Sequence, residues 1–415
     1  MSSVSLSIQP QVRIMGLVGA GHMMSHFYSN TLPPLLPFLN SDLGIGYTML
    51  GAMLSLRGML TAGLQVPAGA LVDRFGAKTL LIVGLAMCAI GTIMTAGAGG
   101  IWMLLFAGIV LGVGNSVFHP ADYTILGGTM DERYMGRAFS LHAFFGHVGS
   151  AIAPIVLIAI TALSSWRTAL LVAGIVGLVI LVGLISQWRY IGEDAAAAAG
   201  PKKKKKVEAE AEDPNAPQTT GQLLRYIATS PAILFLFLYY AMNQLAGGGL
   251  KTFAVAGLVE THDTAATLAN AAFTTFLATN AAGVLFGGWL ADVTKRAELM
   301  AAIGLGLSAV VMTFIGLWSL PGFLLIAIFA FAGLTNGIIG PARDLLVRRA
   351  SPKGSMGKVF GFVFSGQAIG GALAPLLFGF MIDVGAPAWI FYGSAFFTIL
   401  CMIVVLISAR HSRPA

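Results

Sequence analysis

His22, His26 and Asn30 recur at i, i+4 and i+8 within "GHMMSHFYSNTLPPLLPFL" (21–39), so they share one face of a helix. A histidine on such a face can exchange a proton near neutral pH, because its unperturbed pKa is ~6.5. Arg57 stands in another apolar run as a fixed cation whose planar fork matches a carboxylate. Asn115, His119, His142, His147, Asn243, Gln244, Asn336 and Gln367 also interrupt apolar stretches. A fixed cation among titratable histidines is chemistry for holding a small organic anion and linking its movement to protons. Each group has a bland use as well: histidines and asparagines bond across membrane helices, and Arg57 can bond backbone carbonyls or trapped water. Asp42, Asp73, Asp122, Glu260, Asp292, Asp344 and Asp383 all fall near the ends of apolar runs. Arg57 is therefore expected to have no protein carboxylate nearby, and a substrate carboxylate becomes its expected partner.

Of the 415 residues, 57% are hydrophobic and only 10% charged, and the mean hydropathy is +0.83. Runs such as "TLLIVGLAMCAIGTIMTAGA" (79–98), "TALLVAGIVGLVILVGLI" (168–185) and "AWIFYGSAFFTILCMIVVLIS" (388–408) hold no charge over the ~20 residues that cross a bilayer. Twelve spans are expected, near 13–39, 47–71, 79–98, 101–124, 136–161, 166–188, 226–257, 265–290, 298–318, 321–343, 357–381 and 387–408. The first lacks a small-residue cleavage site and is expected to stay as a span. At ~1.5 Å per residue, His26 lies ~18 Å into the first span and Arg57 ~15 Å into the second. Cys88 and Cys401 lie in apolar runs and read as packing residues.

The polar interval 190–224 divides the chain into six-span bundles over 1–189 and 225–415, and its composition cannot bury a core of its own. With the termini cytoplasmic, 21 of the 24 Lys and Arg fall on or near that side; Arg167 and Lys251 fall toward the other and Arg57 lies inside a span. Lys202 to Lys206 then sit in a cytoplasmic linker where they reinforce topology and touch anionic headgroups. The acidic "EAEAED" that follows them argues against a nucleic-acid patch. Lys251 either attracts anions at the outer mouth or snorkels to headgroups.

The two bundles repeat one another. "GVGNSVFHPADY" (112–123) aligns on "GLTNGIIGPARD" (333–344), and one offset of 221 places Asn115 on Asn336, Pro120 on Pro341, Gly149 on Gly370 and Pro154 on Pro375. Spans six apart share orientation, so the halves are parallel repeats, an arrangement that places a cavity between them. "GALVDRFGAKTLL" (69–81), with a degenerate copy "GGWLADVTKRAEL" (287–299), resembles the signature loop of the major facilitator superfamily. A weaker resemblance, on "GHMMSHFYSNTLPPLLPFL" and "NSVFHPADY", is to fosmidomycin-resistance-type bacterial members.

The superfamily resemblance implies an all-α, twelve-helix fold of two pseudo-symmetric halves. It also implies a cavity lined by the first, fourth, seventh and tenth spans, which gathers His22, His26, Asn30, Asn115, His119, Asn243, Gln244 and Asn336. Asp73, Arg74, Lys78, Gly69 and Asp292 are implied in conformational switching; the alternative is a turn with topology charges. Gly69 and Gly76 permit close backbone approach, and Gly247, Gly248 and Gly249 are expected to hinge or break the seventh span. The expected function is alternating-access symport of a small organic anion with protons, with no cofactor or metal, by a monomer in a bacterial cytoplasmic membrane. Proton-antiport drug efflux is the alternative, and a non-transporting receptor or scaffold a third. No nucleotide-binding loop or nucleophile–base pattern supports a pump or an enzyme. Replacing Lys202 to Lys206 with Gln should leave topology and transport nearly intact, since the other cytoplasmic charges still orient the chain; transport by correctly inserted protein checks it.

Overall fold

The computed structural model describes residues 8–130, 135–187, 190, 225–226, 229–293, 297–350 and 356–411. Its elements are α1 (Ile8–Ser29), a 3-10 turn (Pro33–Leu35), α2 (Leu36–Leu43), α3 (Tyr47–Gly63), α4 (Gln65–Phe75), α5 (Ala77–Ala96), α6 (Ile101–Ser116), α7 (Phe118–Thr129), α8 (Met135–Leu163) and α9 (Trp166–Ser186). They continue as α10 (Pro231–His262), α11 (Ala266–Val293), α12 (Ala297–Leu317), α13 (Gly322–Ala350), α14 (Met356–Asp383) and α15 (Trp389–His411). Among the described residues, ten helical segments are long and apolar enough to cross a bilayer, with α6 and α7 together counted as one, and α3 with α4 makes an eleventh bent by 55°. The remaining expected span, the first, begins as α1, whose 22 residues are long enough to cross but include Arg13, His22, Ser25, His26 and Ser29. It depends on neighbouring helices to cover that polar face. Many large apolar side chains point outward, among them Trp102, Leu163, Leu285 and Phe323, as lipid-facing surfaces require.

Two expected spans are not single helices. Tandem prolines turn the chain from α1 through Pro33–Leu35 into α2, because Pro33 and Pro34 cannot donate the ladder bonds that would continue the helix. The second bends between α3 and α4. The loop expected over 69–81 shrinks to one residue: Asp73 and Arg74 belong to the last turn of α4, Gly76 takes φ +85°, and α5 starts at Ala77. Gly76 thus answers a backbone need. Gly69 does not, since a Cβ there would meet open space, and its expected close approach is corrected.

By contacts the chain divides into one unit of Met1–Ile45 with Leu56–Lys203 and another of Gly46–Ser55 with Lys204–Ala415. In the first, α1 packs on α8, and α5 on both α9 and α6. In the second, α10 packs on α14, and α12 on both α15 and α13. These are the same three pairings, repeated six spans later. The repeated glycines make them close. A Cβ on Gly149 of α8 would strike the Met23 carbonyl of α1, and one on Gly370 of α14 would strike the Ala241 carbonyl of α10. Gly112 likewise leaves room for the Arg57 carbonyl, and Gly333 for that of Phe276. Small residues allow this approach where lipid supplies no hydrophobic drive between helices.

Residues 46–55, assigned to the first half by sequence, pack within the second unit. The Asp383 carboxylate accepts the Tyr47 N–H at 2.8 Å, the Thr48 N–H at 2.8 Å and the Thr48 hydroxyl at 2.6 Å, capping the start of α3. Tyr47 donates its hydroxyl to Glu260 at 2.9 Å. The linker 190–224 is outside the described residues apart from Tyr190. Alanine is favoured over glycine by ~1 kcal/mol in an open helix, so Gly69→Ala should raise thermal stability. Gly149→Ala should lower it, because overpacking costs ~1–3 kcal/mol. Melting temperatures of the two purified variants check the contrast.

Candidate functional site

The fourth expected span breaks at Val117, between α6 and α7, and α7 then runs on to Thr129. Pro120 sits in the first turn of α7, where its missing N–H is tolerated. This extension changes the place of one residue decisively. Asp122, assigned by sequence to a span end, is fully buried inside the bundle, and that reading is corrected. His119 and Asp122, three residues apart, share a face of α7. α1 supplies His22 and His26, and α8 supplies His142 and Ser150, with Gly146 between them. Gly146 is required there: a Cβ would stand 3.0 Å from His22 Nε2 and 3.1 Å from His26.

His22 Nδ1–H donates to Asp122 Oδ2 at 2.9 Å, and His142 Nε2 approaches the same oxygen at 3.7 Å. The His22 and His142 rings lie 3.6 Å apart, tilted by 31°. His26 is 4.6 Å and His119 5.5 Å from the His22 ring, and His119 stacks at 5.9 Å on Tyr123. Asp122 Oδ1, His119 Nδ1 and both ring nitrogens of His142 are buried without a hydrogen-bond partner. Four unmet polar atoms in one place leave the cluster able to accept more than it holds. His22, His119 and His142 each offer a ring nitrogen within 4.8 Å of the others. Bonds of ~2.0–2.1 Å to a tetrahedral ion would set them ~3.3 Å apart. The rings would have to close to hold a metal; as they stand, His22 is bonded to Asp122 and His142 approaches it.

Beside the cluster runs a satisfied polar strip. Asn30 Nδ2 donates to Ser150 Oγ at 3.1 Å and to the His26 carbonyl at 2.9 Å, and Ser150 meets His26 Nδ1 at 3.3 Å. Asn115 Nδ2 donates to the Ser25 carbonyl at 3.2 Å and reaches Ser29 Oγ at 3.4 Å. The expected His22, His26, Asn30, Asn115 and His119 therefore come together, although Asn30 lies just past the end of α1. His147, on α8, also has a partner.

Arg57 on α3 is 6% exposed, yet its Nη1 has no hydrogen-bond partner. No described ion pair involves it. Its electrostatic neighbour is the Cys88 thiol, which points to the Leu111 carbonyl at 3.8 Å. A buried guanidinium in this state is a strong donor awaiting an acceptor.

The second unit is quieter. Asn243 and Asn336 line a cavity of ≈ 20 Å³ with Gly247, Ser308, Ser394 and Thr398. That is room for about one water. Asn336 Oδ1 accepts from Asn280 Nδ2 at 3.0 Å, which commits it to joining α13 and α11. Gln244 lies along Gly370 and Gly371 of α14. The break expected at Gly247 to Gly249 is absent: α10 is continuous from Pro231 to His262. The space around two of these glycines is filled, since Gly249 accommodates the Phe378 ring and Gly248 faces Ala374. Asp73 and Arg74 are exposed, Lys78 stands in the first turn of α5, and the Asp292 side chain lies outside the described residues.

By sequence, His142 stands among the histidines of apolar runs without a place at the cavity, and Asp122 falls at a span end. The signal available was the i, i+3 pair His119/Asp122 set against His142, Gly146 and Ser150 at i, i+4 and i+8.

A family model described as Major Facilitator Superfamily matches residues 18–255 and 236–415. The chain is 27% identical over 171 residues to a probable sulfoacetate transporter, SauU, of Cupriavidus necator, covering 41% of this chain and 40% of that one. It is 30% identical over 149 residues to the methylenomycin A resistance protein of Bacillus subtilis, covering 36% and 30%. The matched segments thus span less than half the length of these relatives. In structure it is similar to a bacterial homolog of the human lysosomal transporter Spinster in an inward-facing and occupied conformation, with a TM-score of 0.76 at 13% identity over 99% of this chain and 100% of the other. Asn336→Ala should lower the melting temperature, and a double-mutant cycle with Asn280→Ala should give a coupling of ~0.6 kcal/mol, typical of bonds between membrane helices.

Proposed function

The chain belongs to the Major Facilitator Superfamily, and from that premise we propose that it is a secondary active transporter carrying a small organic anion across the membrane. Arg57 carries this reading. A guanidinium cannot shed its proton, and leaving one buried with an unmet Nη1 is costly unless another molecule completes it. A carboxylate or sulfonate would do so through charge-assisted, bidentate bonds. The similarity to a probable sulfoacetate transporter supports an anion. His26 of α1, Asn30 just past its end and Asn115 of α6 lie in the same unit, and a solute would engage them by displacing the bonds they now make.

Protons are the proposed coupling ion, in symport, because α1, α7 and α8 collect titratable side chains and one carboxylate in a buried cluster. The proposed setting is a bacterial cytoplasmic membrane, with both termini cytoplasmic and a monomer as the working unit. Asp73, Arg74, Lys78 and Asp292 belong to the proposed switching of access, and Gly247 to Gly249 to a proposed hinge within the continuous α10. Similarity to a methylenomycin A resistance protein favours a second reading, proton-antiport drug efflux. The direction of solute movement in inside-out vesicles separates the two.

The anion is identified by a thermal-shift screen of purified protein against anionic and cationic metabolites. Losing one partner of a buried charged contact typically costs ~2–5 kcal/mol. Arg57→Ala should therefore weaken the identified anion by well over tenfold, and Arg57→Lys should fall between it and wild type. Equal affinity in the alanine variant would make Arg57 structural and remove the main support for an anion.

A further inference from the structure

The histidine cluster has more capacity than it uses. We propose that Asp122, held between His22 and His142, is the seat of a single exchangeable proton, and that loading it draws α8 toward α7.

The argument begins with what each atom lacks. Asp122 is fully buried, yet its carboxylate receives one good hydrogen bond, from His22 at 2.9 Å, while Oδ1 receives none. His142 is 2% exposed and has no partner at either nitrogen, although its Nε2 stands only 3.7 Å from Asp122 Oδ2. That separation is too long for a hydrogen bond and short enough for one to form after a small shift. A proton arriving at His142 makes the ring a cation and Nε2 a donor, and the charge-assisted bond to Asp122 closes to ~2.7–2.9 Å. A proton arriving at Asp122 instead makes a neutral acid whose hydroxyl can donate to His142 Nε2, so either placement closes the same gap. The two are microstates of one site, and the proton count belongs to the cluster.

The neighbours fix the stoichiometry. α1 presents His22 and His26, α7 adds His119 and Tyr123, and α8 presents His142 and His147. On the other elements packed against α7, Asp73 and Arg74 of α4 are exposed, Lys78 opens α5, Cys88 of α5 is turned to the Leu111 carbonyl, and α6 offers the uncharged Asn115. Asp122 is thus the one carboxylate among the described groups at this place. With the His22 and His142 rings 3.6 Å apart, two cations side by side repel, so the carboxylate balances one added proton and no more.

The same geometry supplies a lever. α8 lies tight on α1 at Gly146 and Gly149, where Gly146 faces the His22 and His26 rings and Gly149 faces the Met23 carbonyl. A shift of His142 toward Asp122 is therefore felt along the α1–α8 seam, which also carries the Ser150, His26 and Asn30 contacts. The role of this proton in transport rests on the proton-coupled reading above; the proton site itself does not.

Infrared difference spectra of the purified full-length protein in lipid, recorded against pH without any solute, test the site. The carbonyl stretch of a protonated carboxylic acid should appear as pH falls, vanish in Asp122→Asn, and persist with a displaced midpoint in His22→Gln, whose amide can still donate to the carboxylate. Wild type and both variants are first compared by melting temperature, and a variant that fails to fold is replaced by His142→Gln, which should also displace the midpoint. A band unchanged in Asp122→Asn, or a titration that shows neither this band nor an imidazolium band lost in His142→Gln, overturns the proposal. So does stoichiometric Zn²⁺ binding that is lost in His119→Gln, which would make the cluster a metal centre. Because no transported solute enters the measurement, failure of the anion assignment leaves its outcome untouched.

Discussion

An ionised side chain inside an apolar helix bundle has to be compensated within a few ångströms, and the interior of the first unit is organised by that demand. Asp122 meets it in part, through the His22 bond and the nearby His142 ring. Arg57 does not meet it with any described protein carboxylate. The two charges are opposite, lie in the same unit and do not neutralise one another. In the proposed readings, one exchanges a proton and the other receives an anion. Buried polar atoms are nearly always satisfied in folded proteins, so the unmet Asp122 Oδ1, His142 nitrogens and Arg57 Nη1 read as positions completed during the working cycle.

Packing makes this possible. Long membrane helices are held apart by their side chains unless glycines let backbones meet. Gly146 and Gly149 bring α8 onto α1 so that His22, His26 and Ser150 share a few ångströms, and Gly112 brings α6 onto the backbone of Arg57. In the second unit the repeated Gly370 and Gly333 make the same approaches, but the side chains they bring together differ. Asn336 is satisfied by Asn280, and the cavity beside it has room for about one water. The repeat therefore supplies one scaffold twice, and among the described residues the buried histidine–aspartate cluster belongs to the first unit.

Much of this was legible in the sequence. Apolar length gave the all-helical membrane class, and the offset that aligns Gly149 on Gly370 marks the glycines that make matching helix contacts. The i, i+4 spacing placed His22 and His26 together, and both lie in the cluster. Other features were not legible, for identifiable reasons. Asp122 looked terminal because the apolar run fades near residue 124, yet α7 continues past it, buried by its neighbours. Gly247 to Gly249 looked like a break because glycine disfavours helix, but α14 fills the space around two of them and supports a continuous α10. Gly46 to Ser55 follow the first half in sequence and pack with the second because Asp383 caps the helix that starts at Tyr47. Each miss is a tertiary contact overriding a local preference.

The central claim is that Arg57 is completed by a transported anion. A structure of the protein determined with the best-binding small organic anion tests it most directly. The account predicts density for the anion's acidic group within hydrogen-bond distance of Arg57 Nη1. The same anion bound elsewhere, with Arg57 Nη1 met by a water or a backbone carbonyl, would contradict it.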